Sequence, residues 1–542
     1  MARLVLGPLL RYADARCATV WVETDAPCAV AVLGHTARTF EISGHHYALV
    51  RVEGLSPGDT TPYEVHLDGE RVWPALEGFP PSTIRPLGAG ETLRIMFGSC
   101  RLCARAGHLG ADALQAAARR MCGQDPELWP DLLLMLGDQV YADEPSSAMT
   151  DWLAERRDTS VPPGATVADF EEYTALYREA WGGDPLIRWL LSSVPTAMIF
   201  DDHDIHDDWN TSDSWVRDMR AKGWWDERIV GGFASYWIYQ HLGNLAPADL
   251  DGDELYDRAK DAGDATGLVR QFAFKADREV AGARWSYARD LGGVRIVMVD
   301  SRAGRVLTPG ARTMIDEREW QWLEAHLTGD VDHLLVGTSL PVFLAPGIHG
   351  VEAWNEAVCD GAWGRVAAWV GERVRRAADL EHWAAFRTSF ERLAESLRAV
   401  AAGERGAPPG SVVVLSGDVH HCYLAELGYP KAAGGGSRAP VWQATCSPFR
   451  NPLSPRQQRV IRFWFSWGGQ VIAGLLARAA GVPRPPTRWR LAHDGPMFEN
   501  QLGTLELDGR RGRLRLERAI ADRLDPAVER LLPLFDHPLD RV

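Results

Sequence analysis

Apolar and polar residues follow two different patterns along the chain, and the change falls near residue 90. Up to residue 88 they alternate, as expected for strands that bury one face and expose the other. Examples are 18–23, 29–33 and 63–67, which are separated by turn residues. Short alternating strands joined by turns are typical of antiparallel sandwiches, so we predict a β-sandwich domain over residues 1–88, similar to fibronectin or immunoglobulin domains.

After residue 91 the apolar residues form continuous runs, which indicate strands buried on both faces. The runs are 93–97, 132–136, 197–200, 294–299, 334–336 and 412–415. Stretches with helical periodicity lie between them, among them 111–121, 233–242 and 363–397. This alternation predicts an α/β domain over 91–518, with a hairpin whose turn lies near Asp508 and Gly509. Residues 519–542 are expected to form a C-terminal tail.

The composition is that of a folded protein, and the net charge bears on the kinds of partner it binds. The chain of 542 residues is longer than a domain with a single hydrophobic core usually is, and 46% of its residues are apolar and 24% are charged. A net charge of -15 disfavours specific nucleic-acid binding, because phosphate is repelled. The N-terminal apolar run is broken by Pro8, and no run of about 20 apolar residues occurs. We therefore expect no signal peptide and no spanning helix, and the eight scattered cysteines then favour a cytoplasmic location.

Chemically active side chains collect where four of the apolar runs end, the position at which open α/β sheets bind ligands. The four endings are Gly98-Ser99-Cys100, the 137–143 string with Asp138 and Tyr141, the acidic 201–208 string, and the 416–421 string with Asp418 and His420. So many carboxylates repel one another unless cations or protons neutralise them. A mixture of thiol, phenol, carboxylate and imidazole favours two unlike metal sites.

Each string taken alone has a simpler interpretation. The 201–208 run also fits a solvated acidic loop, and Gly137-Asp138 also fits an ordinary strand-to-turn signal. Cys100 and Cys103 have the spacing of a redox or zinc motif, although the chain contains no second pair with that spacing.

Taken together, the strings resemble the PhoD-like branch of the calcineurin-type metallophosphoesterases, also called the alkaline phosphatase D family. The resemblance covers nearly the whole chain and includes the Asp300-Ser-Arg302 string. It implies a four-layer αββα sandwich that follows the β-sandwich domain. It also implies a metal-dependent hydrolase of small phosphate esters, a phosphodiesterase or an alkaline phosphomonoesterase, in which two metals activate a hydroxide. The alternative is a non-catalytic metal-binding or interaction module on the same fold.

Carried over residue by residue, the resemblance implies a set of metal ligands and two catalytic side chains. The implied ligands are Cys100, Asp138, Tyr141, Asp202, Asp418 and His420. His203 would contact the substrate and protonate the leaving group, and Arg302 would contact phosphate. The implied metals are Fe³⁺ and Ca²⁺, with Mn²⁺ as an alternative. The chain departs from the family at Asp204, where Glu is common, and at Asp207 and Asp208, where Asn is common.

The segment 427–493 reverses the charge of the rest of the chain. It contains ten basic residues and no Asp or Glu, and these flank an apolar stretch at 463–476. One interpretation is a helix and loop that pack over the catalytic core. The other is a lid that recruits anionic substrate or makes peripheral contact with a membrane through 450–490. The oligomeric state is not predicted.

Overall fold

The computed structural model describes residues 1–103, 109–429, 438–485, 487–522, 525 and 528–540. Parts of the predicted lid segment, 430–437 and 486, lie outside the described residues. Parts of the predicted tail, 523–524, 526–527 and 541–542, also lie outside them.

The N-terminal region is a β-sandwich, as predicted. Its strands are β1 (Leu4–Ala13), β2 (Cys17–Thr24), β3 (Ala29–Val32), β4 (His35–Arg38), β5 (Phe40–Ile42), β6 (His45–Glu53), β7 (Thr61–Pro62), β8 (Val65–Leu67), β9 (Glu70–Trp73) and β10 (Thr83–Ile84). Two sheets, β1-β2-β6-β5 and β4-β3-β8-β9, pack against each other, while β7 and β10 form a separate pair. Alternate residues such as Val20 and Val50 from one sheet and Val30 from the other fill the space between them.

The rest of the chain contributes the strands of two larger sheets. They are β11 (Leu93–Gly98), β12 (Leu132–Leu136), β13 (Thr196–Ile199), β14 (Tyr287–Leu291), β15 (Val294–Val299), β16 (His333–Thr338), β17 (Ser411–Ser416), β18 (Tyr423–Gly428), β19 (Val441–Thr445), β20 (Arg488–Leu491), β21 (Gln501–Asp508), β22 (Arg511–Ala521) and β23 (Glu529–Pro538). One sheet has the order β13-β12-β11-β21-β22-β23 and the other β14-β15-β16-β17-β19-β18-β20. Each of the six predicted apolar runs coincides with a strand, and the predicted hairpin is β21–β22.

Helices occupy much of the chain between these strands. They are α1 (Ala113–Cys122), α2 (Ser147–Arg156), α3 (Phe170–Tyr177), α4 (Pro185–Ser193), α5 (Asp213–Arg220), α6 (Trp225–Ser235), α7 (Leu242–Asn244), α8 (Pro247–Leu250), α9 (Glu254–Ala262), α10 (Thr266–Arg278), α11 (Glu317–His326), α12 (Pro346–Cys359), α13 (Arg365–Ala377), α14 (Arg387–Ala402), α15 (Pro455–Phe465) and α16 (Trp467–Ala479). In the described part of the chain no single helix could cross a membrane. The pair α15–α16 has the required length and apolarity only when its two helices are counted together, and it is bent by 69°.

The two larger sheets lie face to face, with helices on their outer sides. Phe97 and Met298 both belong to the apolar layer between the sheets. Their chain neighbours Met96 and Val297 point outward into two different helical layers. Because adjacent residues of a strand point to opposite faces, burial of both faces accounts for the continuous apolar runs. The predicted four-layer αββα arrangement is confirmed.

The β-sandwich is anchored on the α/β region through a buried interface. The outer face of its first sheet contributes Trp21 to the same core as the helices around β13. The fully buried Arg11 donates hydrogen bonds to the carbonyl of Gln240 at 2.7 Å and that of Thr196 at 3.2 Å. His45 lies between Glu23 at 3.0 Å and Glu171 of α3 at 2.7 Å. The sandwich is therefore held to the α/β region by buried polar bonds as well as apolar packing.

Two sequence-based predictions differ from the structure. The stretch 363–397 is not continuously helical: α13 and α14 are separated by 378–386, where Asp379 adopts a left-handed backbone (φ 48°) that Asp tolerates better than most residues. The predicted tail is also not free, because β23 pairs antiparallel with β22 along nearly its whole length. Pro533 and Pro538 fit an edge strand, where a missing backbone N–H is tolerated.

Candidate metal centre

The carboxyl ends of four strands bring the predicted ligands to one edge of the paired sheets. Cys100 follows β11, Asp138 follows β12, Asp202 follows β13, and both Asp418 and His420 follow β17. All except Asp202 adopt a left-handed backbone, with φ between 52° and 65°. Such backbone strain costs roughly 1–3 kcal/mol per residue and is concentrated at functional sites.

The glycines in these strings allow the strand ends to approach one another closely. A Cβ on Gly137, whose φ is +113°, would lie 2.7 Å from the Asp201 Cβ. A Cβ on Gly417 would lie 2.2 Å from the Ser99 Oγ. No side chain fits at such distances, so these glycines are required for the ligands to meet.

The potential ligand atoms form overlapping groups that share Asp138. Within one group, Cys100, Asp138 and His420, all ligand atoms lie within 4.8 Å of one another, and the same holds for Asp138, Asp202 and His203. The Cys100 thiol and the Tyr141 hydroxyl both donate to Asp138 Oδ2, at 3.2 Å and 3.4 Å.

A further group joins Asp202 to Asp201 and Asp418 under the same 4.8 Å limit. The structure thus brings together all six predicted ligands and His203.

The donor set fits cations. Asp138 Oδ1 and Asp201 Oδ2 are buried and have no hydrogen-bond partner among the described residues. Burial and the neighbouring Cys100 hold the pKa of Asp138 well above its usual range. Burial, followed by the charge of Asp418, raises the pKa of the Cys100 thiol to about 11. Bound cations would give the unpartnered oxygens a partner. They would also allow the neighbouring acidic groups, which oppose one another's ionisation, to be charged together.

His203 is oriented by an acidic partner that the sequence analysis left without a role. Its Nδ1 lies 3.0 Å from Asp143 Oδ1, and its ring lies against Tyr141 with 4.7 Å between centroids and 30° between the ring planes. Burial alone would lower the pKa of His203, but Asp143 and Asp202 raise it well above the usual value. Burial would raise the pKa of Asp143, yet the histidine brings it down to about 2. This pairing directs Nε2 away from Asp143.

The carboxylate of Asp204 is engaged with the backbone and a core side chain. It accepts hydrogen bonds from the amides of Asp138 at 3.1 Å and Asp201 at 2.9 Å, and from Gln240 Nε2 at 3.1 Å. It therefore holds two ligand-bearing loops together. Burial raises its pKa to about 7, although these hydrogen bonds oppose the shift.

Asp207 and Asp208 hold neighbouring acidic groups through their backbone. The Asp208 amide donates to Asp202 Oδ2 at 3.0 Å, and the Asp207 amide donates to Asp143 Oδ2 at 2.5 Å. Both side chains line the pocket beside Asp379.

Arg302 is not placed as expected for a phosphate contact. Its side chain is fully buried and bonds to Asp201 and, at 3.2 Å, to Asp202. It also bonds to Glu381 at 2.5 Å and to Asp418 at 3.4 Å. Arg302 therefore lies behind the carboxylates and acts as their counter-charge, because its guanidinium is enclosed by them.

Two further residues of the site come from the break between α13 and α14 and were missed from sequence. His382 Nε2 lies 3.0 Å from Asp418 Oδ2, and its Nδ1 lies 2.7 Å from Glu352 of α12. Glu381 binds Arg302 and also Arg305, at 3.1 Å. The polar string Asp379-Leu-Glu381-His382 within a helical stretch was the available signal.

The ligands open into a pocket of about 480 Å³ whose wall is formed partly by α15. From α15 come Arg456, Gln457, Val460 and Ile461. Among the described lining residues, Arg456 is the one Lys or Arg. It is the side chain placed to meet an anion, a role that sequence analysis gave to Arg302.

Comparison with known proteins gives a family and a fold. The family model of the PhoD-like phosphatases matches residues 99–459, and a domain of unknown function, DUF7800, matches residues 1–84. Comparison with curated proteins gave no match.

Among solved structures, that of PhoD superposes with a TM-score of 0.58 at 11% identity, covering 99% of this chain and 90% of that one. A purple acid phosphatase from yellow lupin (Lupinus luteus) seeds gives a TM-score of 0.46 at 10% identity, covering 98% and 74%. At 11% identity the likeness to PhoD concerns the fold alone.

Proposed function

The chain belongs to the PhoD-like phosphatase family of phosphoesterases, and from this premise we propose that it hydrolyses small phosphate esters at a centre of two cations. The observation that carries the proposal is the position of Asp138. Its carboxylate belongs to one group with Cys100 and His420 and to another with Asp202 and His203. A carboxylate shared by two groups, with one oxygen lacking a partner among the described residues, is suited to bridging two cations.

The two positions differ in donor chemistry. Cys100, Tyr141 and His420 would hold the first cation together with Asp138, and this set suits Fe³⁺. Asp202 and Asp418 would hold the second together with Asp138, and an oxygen-rich set suits Ca²⁺ or Mn²⁺. When bound, the cations would supply Lewis acidity and neutralise the charge of the phosphate.

The chain's own residues would bind the ester and move a proton. Arg456 extends from α15 into the pocket and would attract the phosphate group. His203 Nδ1 is held by Asp143, which favours the protonated ring and leaves Nε2 to protonate the leaving oxygen. Arg302 and His382 hold the ligand carboxylates in place from behind, through Asp202 and Asp418.

Other readings of the site find less support. A non-catalytic module is disfavoured because the predicted ligands converge. A redox role for the pair Cys100 and Cys103 is disfavoured because the two thiols have different partners. Cys100 contacts Asp138, whereas Cys103 lies 3.4 Å from Arg101 Nη1.

The test compares two substitutions at opposite ends of one strand. Asp138→Asn removes the shared carboxylate, and Asp131→Asn is the control, because Asp131 precedes β12 and binds Arg85 at 2.7 Å away from the site. Each protein is stripped of metal, reloaded with Fe³⁺, Ca²⁺ or Mn²⁺, analysed for metal content, and assayed with chromogenic phosphate mono- and diesters.

We expect metal-dependent hydrolysis by the wild type and by Asp131→Asn. Asp138→Asn is expected to lose at least two orders of magnitude in activity and to bind fewer than two ions. Undiminished hydrolysis by Asp138→Asn, or hydrolysis by the stripped wild type, would overturn the proposal. The ratio of mono- to diester hydrolysis then defines the substrate class.

A further inference from the structure

The helix pair α15–α16 exposes its large apolar residues and buries its small ones. Trp467 is 80% exposed and Leu475 is 61% exposed, while the buried residues of α16 are Gly469 and Ala473. Helix α15 has no buried residue at all. This arrangement is the reverse of an ordinary amphipathic helix of a soluble protein, which turns its apolar stripe toward the core.

The small residues allow α16 to lie close against α12. A Cβ added to Gly350 of α12 would lie 2.9 Å from the Ala473 Cβ of α16. One added to Gly347 of α12 would lie 2.4 Å from the Trp464 carbonyl oxygen of α15, so both helices of the pair approach α12 closely. Small residues spaced four apart permit this kind of close backbone approach. This packing buries the Gly469 and Ala473 side of α16 and leaves Trp467, Val471 and Leu475 exposed.

The exposed apolar surface continues onto α13. The Trp363 indole donates to the Ala479 carbonyl at 3.1 Å, which joins the start of α13 to the end of α16. Along α13, Val366 is 80% and Trp369 59% exposed, with Val370 beside them. We call the exposed residues Trp363, Val366, Trp369, Val370, Val460, Phe463, Trp467, Val471, Ile472 and Leu475 the apolar face.

Arginines lie beside the apolar face. Arg459 is on α15, and Arg478, Arg484 and Arg488 lie next to Trp467 and Leu475; none of the four forms an ion pair with a described residue. Arg478, Arg484 and Arg488 also line a groove of about 890 Å³ between α12 and α16, together with Trp467 and Leu475. Among its described lining residues the one carboxylate, Glu391, pairs with Arg387 at 3.6 Å. The groove thus combines unpaired cationic side chains with apolar ones, as a site for an anionic head group attached to a hydrocarbon chain would.

We propose that the apolar face and its arginines dock this protein on the surface of an anionic lipid bilayer. The bulky side chains enter the interface and the arginines meet the lipid phosphates. A second copy of the chain fits less well, because a two-fold interface would bring the same unpaired arginines together. Since α15 also forms a wall of the catalytic pocket, docking would place that pocket next to the bilayer. The inference does not depend on the phosphoesterase reaction.

The test measures binding to vesicles directly. Purified full-length protein is floated with vesicles of phosphatidylcholine alone and of phosphatidylcholine with phosphatidylserine, at low and high salt. The variants are Leu475→Ser on the apolar face, a triple Arg478→Gln, Arg484→Gln and Arg488→Gln, and the control Leu128→Ser. Leu128 is 53% exposed before the amino-terminal end of β12, at the edge opposite the site.

We expect binding to the anionic vesicles that weakens with salt. Leu475→Ser should reduce the partition coefficient about tenfold, and the triple variant by on the order of 100-fold, while Leu128→Ser has no effect. Circular dichroism and thermal unfolding confirm that each variant is folded. The proposal is overturned if anionic vesicles do not bind at low salt, if Leu475→Ser binds like the wild type, or if the apolar face instead forms a dimer in solution.

Discussion

Replacing Arg302 tests whether this residue is an internal counter-charge or a phosphate contact. Its guanidinium serves four carboxylates, and at the 3.4 Å that separates it from Asp418 one pair is worth about 5 kcal/mol before desolvation, with an effective dielectric constant of about 20. Repulsion among the carboxylates and the cost of their desolvation offset most of the attraction between Arg302 and its four partners. Removing one partner of a buried ion pair costs about 3–5 kcal/mol, so we expect Arg302→Gln to lose that much stability without metal.

The assay is urea unfolding of the metal-free protein, followed by tryptophan fluorescence. Arg302→Lys keeps the charge but not the forked geometry, so we expect roughly half the loss. The matched control is Arg295→Gln, since Arg295 is partly exposed and bonds to Asp290 at 2.8 Å, for an expected loss below about 1 kcal/mol. Unchanged stability of Arg302→Gln together with a raised KM would refute the counter-charge role and restore the phosphate contact.

Arg456, Asp143 and His45 each make a contact whose loss has a measurable effect. Arg456→Gln should raise KM for anionic esters about tenfold, whereas Arg459→Gln on the same helix should not; equal effects would contradict a specific contact. Asp143→Asn should lower kcat about 100-fold with a smaller loss for substrates with good leaving groups, because His203 loses its orienting partner; an equal loss for all leaving groups would argue against proton donation. Burial lowers the pKa of His45, but hydrogen bonds to two glutamates outweigh it and raise the pKa to about 9 from 6.5. The stability that protonated His45 contributes is therefore complete below pH 6.5 and lost as pH rises through about 9. The unfolding free energy of the wild type should fall by about 1–3 kcal/mol over that range, and that of His45→Gln should change less.

The layers of the fold and the position of the site could be predicted because both depend on local patterns. Continuous apolar runs mark strands buried on both faces, and the residues that follow them must lie at one edge of the sheet. For this reason Cys100, Asp138 and His420 could be grouped from sequence although they are far apart in the chain.

The supporting residues could not be predicted, because their roles depend on tertiary contacts. Glu381 and His382 lie in a break that no Gly or Pro marks, inside a stretch with helical periodicity. The string that contains Arg302 predicted a basic residue near the site. The direction in which the Arg302 side chain points is set by the carboxylates around it. Strand β23 was missed because its pairing with β22 is a long-range contact, and its two prolines favour other structures locally.

The proposed centre requires that Asp138 contact two cations. Crystals of the metal-loaded protein, measured by anomalous diffraction at the edges of the bound metals, test it most directly. We expect two separate anomalous peaks, one next to Cys100 and His420 and the other next to Asp202, with the Asp138 carboxylate in contact with both. A single peak, or two peaks that Asp138 does not contact, would contradict it.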